Sequence, residues 1–339
     1  MKRWPRLVCI LFLMLIGFAI GCQGEHKTNL FQQAVSADLP DFISLIAQYS
    51  DDPFYIAKYE GGYGFDAYRE AGVYPSLQTL TANINSFACS CFYACGDQPI
   101  FGRNFDWHEN PALLLFTNPP GGYQSVSMVD ISYLGYDQTI TPFDLPENLQ
   151  YAPYYPFDGM NEHGLAVGMM AVGHAEGGQD AGKVTLGSLE LIRLMLDYAI
   201  DVPEALALVS AYNVDFGSVP VHYLVGDRYG NAAVIEFLDG DVVSMSGNGT
   251  FQVSTNFILA EAHPSGANSL CNRYNRLYSV LERSKGYIDR KKAMCLLKDV
   301  SQAGNDTVTR WSVVYDIHNL ELLVAINRKY SNIFSYSFE

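Results

Sequence analysis

The chain has 339 residues, 49% of them hydrophobic, enough for a substantial core in one large domain or two small ones. It carries 36 acidic against 21 basic residues, a formal net charge of −15. That balance argues against nucleic acid as a partner, because no basic stripe exists to neutralise phosphates, and against charge-driven binding to anionic membrane.

Lys2, Arg3 and Arg6 precede the apolar run "LVCILFLMLIGFAIG", the pattern of a signal peptide over residues 1–21. "AIGC" follows with small residues before Cys22, which stands where bacterial lipoproteins carry their lipid-attachment cysteine. The expected location is the cell envelope, with the chain lipid-anchored at the membrane surface or secreted. Residues 22–88 form an acidic, aromatic N-terminal segment. In it, "NLFQQAVSADLPDFISLIAQYS" has roughly helical apolar spacing, so helices and turns are expected without strand pairs.

From Cys89 onward strand signals dominate. "CSCFYAC" and "PIFGRNFDW" read as two strands around a turn at Gly96–Pro99, and "QSVSMVDISYL" and "HGLAVGMMAVG" as two more. "SLELIRLMLDYAI" and "VPEALALVSAY" read as tandem helices, joined by Asp201 and a helix-starting Val-Pro. Three strands follow over 221–245, with turns at Asp227–Asn231 and Asp239–Gly240, then the strand "FQVSTNFIL". "NRYNRLYSVLERSK" and "DRKKAMCLLKDV" read as helices, and "TRWSVVYDIHNLELLVAIN" as a closing hairpin. This order fits one layered domain over 89–339 with mostly antiparallel sheets, and not a doubly wound parallel fold.

Cys89, Cys91 and Cys95 crowd into seven residues. C-x-C-x₃-C has no second CxxC and no nearby H-x₃₋₅-H, so the spacing does not suit zinc. Neighbours on one strand do not easily reach disulfide geometry, while pairing with Cys271 or Cys295 stays open. A four-residue turn would pair Cys95 with Ile100, setting Cys89 opposite Asp106 and Cys91 opposite Asn104. Arg103, the natural partner for a buried Asp106, would then need a bulge to reach it. His222 is expected on a buried strand, and Asn161-Glu162 in a turn that the fold needs.

These residues resemble the choloylglycine hydrolase and penicillin V acylase family, linear amide C–N hydrolases of the N-terminal nucleophile superfamily. They are also similar to acyl-CoA:6-aminopenicillanate acyltransferase. "CS" with "FGRNFDW" matches the nucleophile hairpin and "FDGMNEHGLAV" (157–167) a central signature. "HYLVGD", "STN", "NRYNRL" and "WSVVYD" follow in the expected order, and "YGFDAYREAG" resembles the exported branch. The resemblance implies an α+β fold, a four-layer αββα sandwich of two mostly antiparallel sheets. It implies a small-molecule N-acyl amide substrate and no cofactor or metal.

It further implies that Cys89 is the nucleophile and the first residue of the mature catalytic chain. Its own α-amine would be the base. Cleavage of Ala88–Cys89 would expose it, making 22–88 a candidate propeptide. Arg103 would stabilise the thiolate, Asp106 bind the amine, and Asn256 donate to the oxyanion. Arg273, with Arg276 as the neighbouring alternative, would be the late active-site arginine. Ala171 stands where many bile-salt hydrolases carry Asn, which points away from a bile-salt substrate. The competing readings are an acyltransferase on the same scaffold, a Cys–His peptidase using His222 with Cys89 or Cys91, and a non-catalytic ligand-binding lipoprotein.

Overall fold

The computed structural model describes residues 43–49, 52–71, 88–247, 249–262, 271–304 and 307–338. The leader, Cys22 and residues 72–87 lie outside them. In chain order the leading segment supplies strands β1 (Ile43–Tyr49) and β2 (Phe54–Glu60) and helix α1 (Phe65–Ala71). Then come β3 (Ser90–Ala94), β4 (Ile100–Trp107), β5 (Ala112–Asn118), β6 (Ser125–Asp130), β7 (Pro156–Asn161), β8 (Ala166–Ala171) and β9 (Thr185–Gly187). Helices α2 (Ser188–Tyr198) and α3 (Val202–Ser210) precede β10 (Asn213–Asp215), β11 (Val221–Gly226), β12 (Ala232–Leu238), β13 (Asp241–Ser246) and β14 (Phe251–Ser254). Helices α4 (Asn272–Ser284) and α5 (Arg290–Asp299) and strands β15 (Val308–Asp316), β16 (Glu321–Ile326) and β17 (Phe334–Ser337) follow.

Two large sheets result. One runs β1-β2-β5-β6-β7-β8-β11-β12-β13, the other β14-β3-β4-β15-β16-β17. Except for β2 against β5, every pair within them is antiparallel. Helices α2 and α3 cover the nine-stranded sheet, and α4 and α5 the six-stranded one. This is the expected αββα sandwich. Both late helix starts follow local chemistry: Asp201 and Asp289 accept from the backbone N–H groups of Glu204 and Lys292 and so cap α3 and α5.

The leading segment is where the sequence reading fails. Ile43–Tyr49 is a strand, not a helix, and pairs with β2. In so short an apolar run, helical and alternating spacing overlap, and the available partner strand decides. β2 then lies parallel to β5, from Phe54 opposite Ala112 to Glu60 opposite Asn118. Phe54, Ile56 and Ala57 are buried. Beyond β2, the Tyr63 hydroxyl donates to Asp197 Oδ2 at 2.5 Å, and Tyr154 OH donates to the Tyr63 carbonyl at 2.6 Å. Arg193 completes this buried knot, donating to Pro153 O, Thr117, Ser125, Ser127 and Asp197.

Without Ile43–Ala71, β5 would become a sheet edge carrying Leu113, Leu114 and Leu115, a ready template for aggregation. A chain expressed from Cys89 alone is therefore expected to be insoluble. Tyr63→Phe in the full chain should lower the unfolding free energy by about 1–3 kcal/mol in urea titrations.

Candidate active site

The site forms at the start of β3. Cys91 pairs with Ser254 in the last rung of the β3–β14 ladder, and Cys89 and Asn256, each two residues past that rung, are bridged by Arg273. On the other side Cys91 lies opposite Arg103 and Ala94 opposite Ile100. This register differs by one residue from the sequence expectation. The chain leaves the hairpin after Ala94 because Cys95 N–H donates to Thr250 O at 2.8 Å and Gly96 N–H to Gly286 O at 3.0 Å. The connection is thus Cys95–Pro99. A Cβ at Gly96 would fall 2.4 Å from Tyr287 N, so only glycine permits this departure. The shift puts Arg103 on the same face as Cys91 and Asp106 on the opposite face, so Arg103 does not partner Asp106 as expected but pairs with Asp158.

Arg103 is fully buried between the sheets. Its Nε lies 3.1 Å from Asp158 Oδ2, Nη1 donates to Phe157 O at 2.7 Å, and Nη2 reaches Cys89 Sγ at 3.8 Å. Asp158 in turn accepts from Trp311 Nε1 at 2.9 Å and from Tyr315 OH at 2.6 Å. The sheets approach closely here: a Cβ at Gly168 would lie 3.1 Å from both Arg103 Nη1 and Cys91 Sγ.

Asp106 faces the helical layer. A register shift in β15 between Thr309 and Trp311 brings Thr309 opposite it. Thr309 Oγ1 donates to Asp106 Oδ1 at 2.5 Å, while the buried Oδ2 has no hydrogen bond among the described residues and lies 3.8 Å from Arg273 Nη1. Arg273, in the first turn of α4, donates through Nη1 to the Cys89 carbonyl and to Ser90 Oγ (2.9 Å), and through Nη2 to Asn256 Oδ1 (3.0 Å). Asn256 Nδ2 donates to Ala171 O at 2.8 Å. An amide nitrogen has two protons, so one remains for a ligand.

Burial pushes the Cys89 thiol up, the Arg103 guanidinium pulls it down, and the Asp106 carboxylate pushes it up again. Burial raises the Cys91 thiol well above its usual value, and Cys91 is wholly enclosed. Cys89, Cys91, Cys95 and Cys271 are free thiols. Among the described residues, no group of three or more His, Cys, Asp or Glu is arranged to hold a metal ion.

The geometry thus brings Cys89, Arg103, Asp106, Asn256 and Arg273 together. Arg276 is elsewhere, paired with Asp299. His222 is on a buried strand as expected, but both its ring nitrogens are engaged, by Glu236 and by Thr255 O. Asn161 serves its turn, donating to Leu196 O and Ala199 O and accepting from His163 and Leu165 N–H. Asp158 has no assigned role in the sequence reading. Its signal was a carboxylate in the strand "PFDGMN", which demands a buried partner.

Burial pushes the Asp106 carboxyl up to about 7, only partly offset by Thr309 and by Arg273, Arg103 and Arg328. In an unfolded chain it would titrate near 3.9. The folded, uncleaved chain therefore binds this proton more tightly, and stability falls as pH rises from about 4 to about 7. Asp106→Asn, in a Cys89→Ala background, should raise the melting temperature at pH 8 and leave it unchanged at pH 4. A lower value at pH 8 would mean that the ionised carboxylate is stabilised instead.

Residues 92–256 match the family model of linear amide C–N hydrolases, choloylglycine hydrolase family. The match holds Arg103, Asp106, Asp158 and Asn256 and begins three residues after Cys89. Among solved structures, penicillin V acylase from Agrobacterium tumefaciens superposes with a TM-score of 0.54 at 17% identity, over 74% of this chain and 86% of that one. Two variants of conjugated bile acid hydrolase from Clostridium perfringens give TM-scores of 0.50 and 0.51 at 16% and 14% identity, over 74% of this chain and 97% of theirs. At these identities the likeness is one of fold. No curated protein matches the sequence significantly.

Proposed function

We propose that this chain is an N-acyl amide hydrolase whose nucleophile is Cys89, freed by self-cleavage at Ala88–Cys89, on the basis of the match of residues 92–256 to the model of linear amide C–N hydrolases, choloylglycine hydrolase family. The observation that carries this reading is the meeting of three groups at one strand end. They are Cys89, whose carbonyl Arg273 binds, the Asn256 side chain bound by the same guanidinium, and a buried Asp106 oxygen, 3.8 Å from it, with no hydrogen bond.

In the first step Cys89 Sγ attacks the Ala88 carbonyl carbon. The Ala88–Cys89 C–N bond breaks as a thioester forms, and the departing nitrogen takes up a proton to become the Cys89 α-amine. Water hydrolyses the thioester, leaving an Ala88 carboxylate and a free thiol. The new ammonium then supplies the counter-charge that Asp106 Oδ2 lacks. Ile43–Ala71 stays in the nine-stranded sheet throughout, because its contacts do not pass through the cut bond.

In turnover the ammonium first loses a proton to solvent; the neutral α-amine then takes the thiol proton, and the thiolate, facing Arg103, attacks the substrate carbonyl. The oxyanion receives the free Asn256 Nδ2 proton. A donor of this kind contributes about 3 kcal/mol, so Asn256→Ala should lower kcat by about 10²–10³. The ammonium protonates the departing amine, and water, deprotonated by the α-amine, releases the acid from Cys89. Penicillin V and acyl-4-nitroanilides are suitable first substrates.

Intact mass and N-terminal sequencing test the reading. Wild type is expected to give a fragment beginning at Cys89 and a co-purifying upstream fragment, and Cys89→Ala a single uncut chain. Turnover by a preparation whose only N-terminus lies upstream of Cys89 would overturn it. For location, we propose export directed by residues 1–21 and lipid attachment at Cys22. Cys22→Ala should then move the protein from the membrane fraction to the soluble one.

A further inference from the structure

β14 ends at Ser254, although the apolar pattern of "FQVSTNFIL" runs on to Leu259. The reason lies in the opposite sheet. His222 in β11 and Glu236 in β12 stand one step beyond the paired residues Tyr223 and Ile235, and both are fully buried. His222 Nε2 lies 2.7 Å from the Thr255 carbonyl oxygen and 3.2 Å from Ser254 Oγ. His222 Nδ1 lies 3.0 Å from Glu236 Oε1. Glu236 Oε1 accepts from Leu259 N–H at 2.6 Å, and Oε2 accepts from Ala260 N–H at 2.9 Å. The Thr255 carbonyl that would continue the ladder is thus turned to the other sheet.

These two side chains grip both ends of the segment 255–260, and Asn256 is its second residue. A buried imidazole and carboxylate are costly to hold in a core unless their bonds are made. Among the described residues, the side-chain bonds beyond the pair itself go to 254–260 and none to the sheet that carries the pair. We propose that His222 and Glu236 are positioning residues that fix the Asn256 amide against Cys89 by clamping the backbone on either side of it. This rests on the reading of Asn256 as oxyanion donor. It gives His222 a task other than that of a general base: it never meets the thiol, and it acts through the peptide of Thr255.

The test is a double-mutant cycle on the self-cleaved full-length chain, with penicillin V or the fastest acyl-4-nitroanilide as substrate. His222→Gln and Glu236→Gln are each expected to lower kcat roughly 10- to 100-fold while KM moves less than about threefold, as slight misplacement of a catalytic group does. In an Asn256→Ala background the same changes should cost almost nothing further, because the group they position is gone. Full multiplicative losses in that background, or unchanged kcat in both single variants, would overturn the proposal. Loss of the cooperative thermal transition in both variants would also overturn it, marking the pair as a fold determinant. Asn256→Ala with full activity would instead overturn the oxyanion reading, so the two failures are distinct.

Discussion

The buried ion pair between Arg103 and Asp158 is the constraint on which the site depends. Neither group reaches water, and removing one would leave the other as an uncompensated charge, a loss of about 3–5 kcal/mol in comparable cases. Each therefore recruits further partners. Asp158 accepts hydrogen bonds from Trp311 and Tyr315 across the inter-sheet space, and Arg103 donates to the Phe157 carbonyl. The pair pins β7 of one sheet to β4 and β15 of the other, and its remaining guanidinium nitrogen faces Cys89. One interaction thus sets both the sheet spacing and the charge beside the thiol.

Much of this was legible in the sequence. The tandem helices, the closing hairpin and the ordered motifs all rest on local chemistry: periodicity, caps and turn residues. What stayed hidden was settled over long sequence distances. The hairpin register turns on Thr250 and Gly286 capturing the amides of Cys95 and Gly96, which no window around the cysteines contains. The strand character of Ile43–Tyr49 depends on β2 and β5 offering an edge. Arg273 and Arg276 are equivalent by composition. Only the rotation of α4 sends one to Cys89 and Asn256 and the other to Asp299. Asp158 was quoted within its motif, yet its partners lie 55 and more positions away or on another sheet.

The site also departs from good core packing. Asp106 keeps a buried oxygen without a hydrogen bond, and its carboxyl is driven far above the usual carboxylate range. Such groups destabilise a fold and persist where chemistry uses them. The cost is carried by a large surrounding body, including the Tyr63–Asp197–Arg193 knot that ties the leading segment to α2.

The pairing of β3 with β14 turns the meeting of Cys89 and Asn256 into a matter of counting. Each stands two residues beyond the Cys91–Ser254 rung, just past the end of its own strand. One inserted or deleted residue within either short overhang would carry Cys89 or Asn256 away from Arg273, which binds both. At the far end of the hairpin, the Cys95–Pro99 connection lies outside that count. Length variation among descendants of this sequence should accumulate at the far end. The two-residue overhangs near the thiol should keep their length even where their side chains drift.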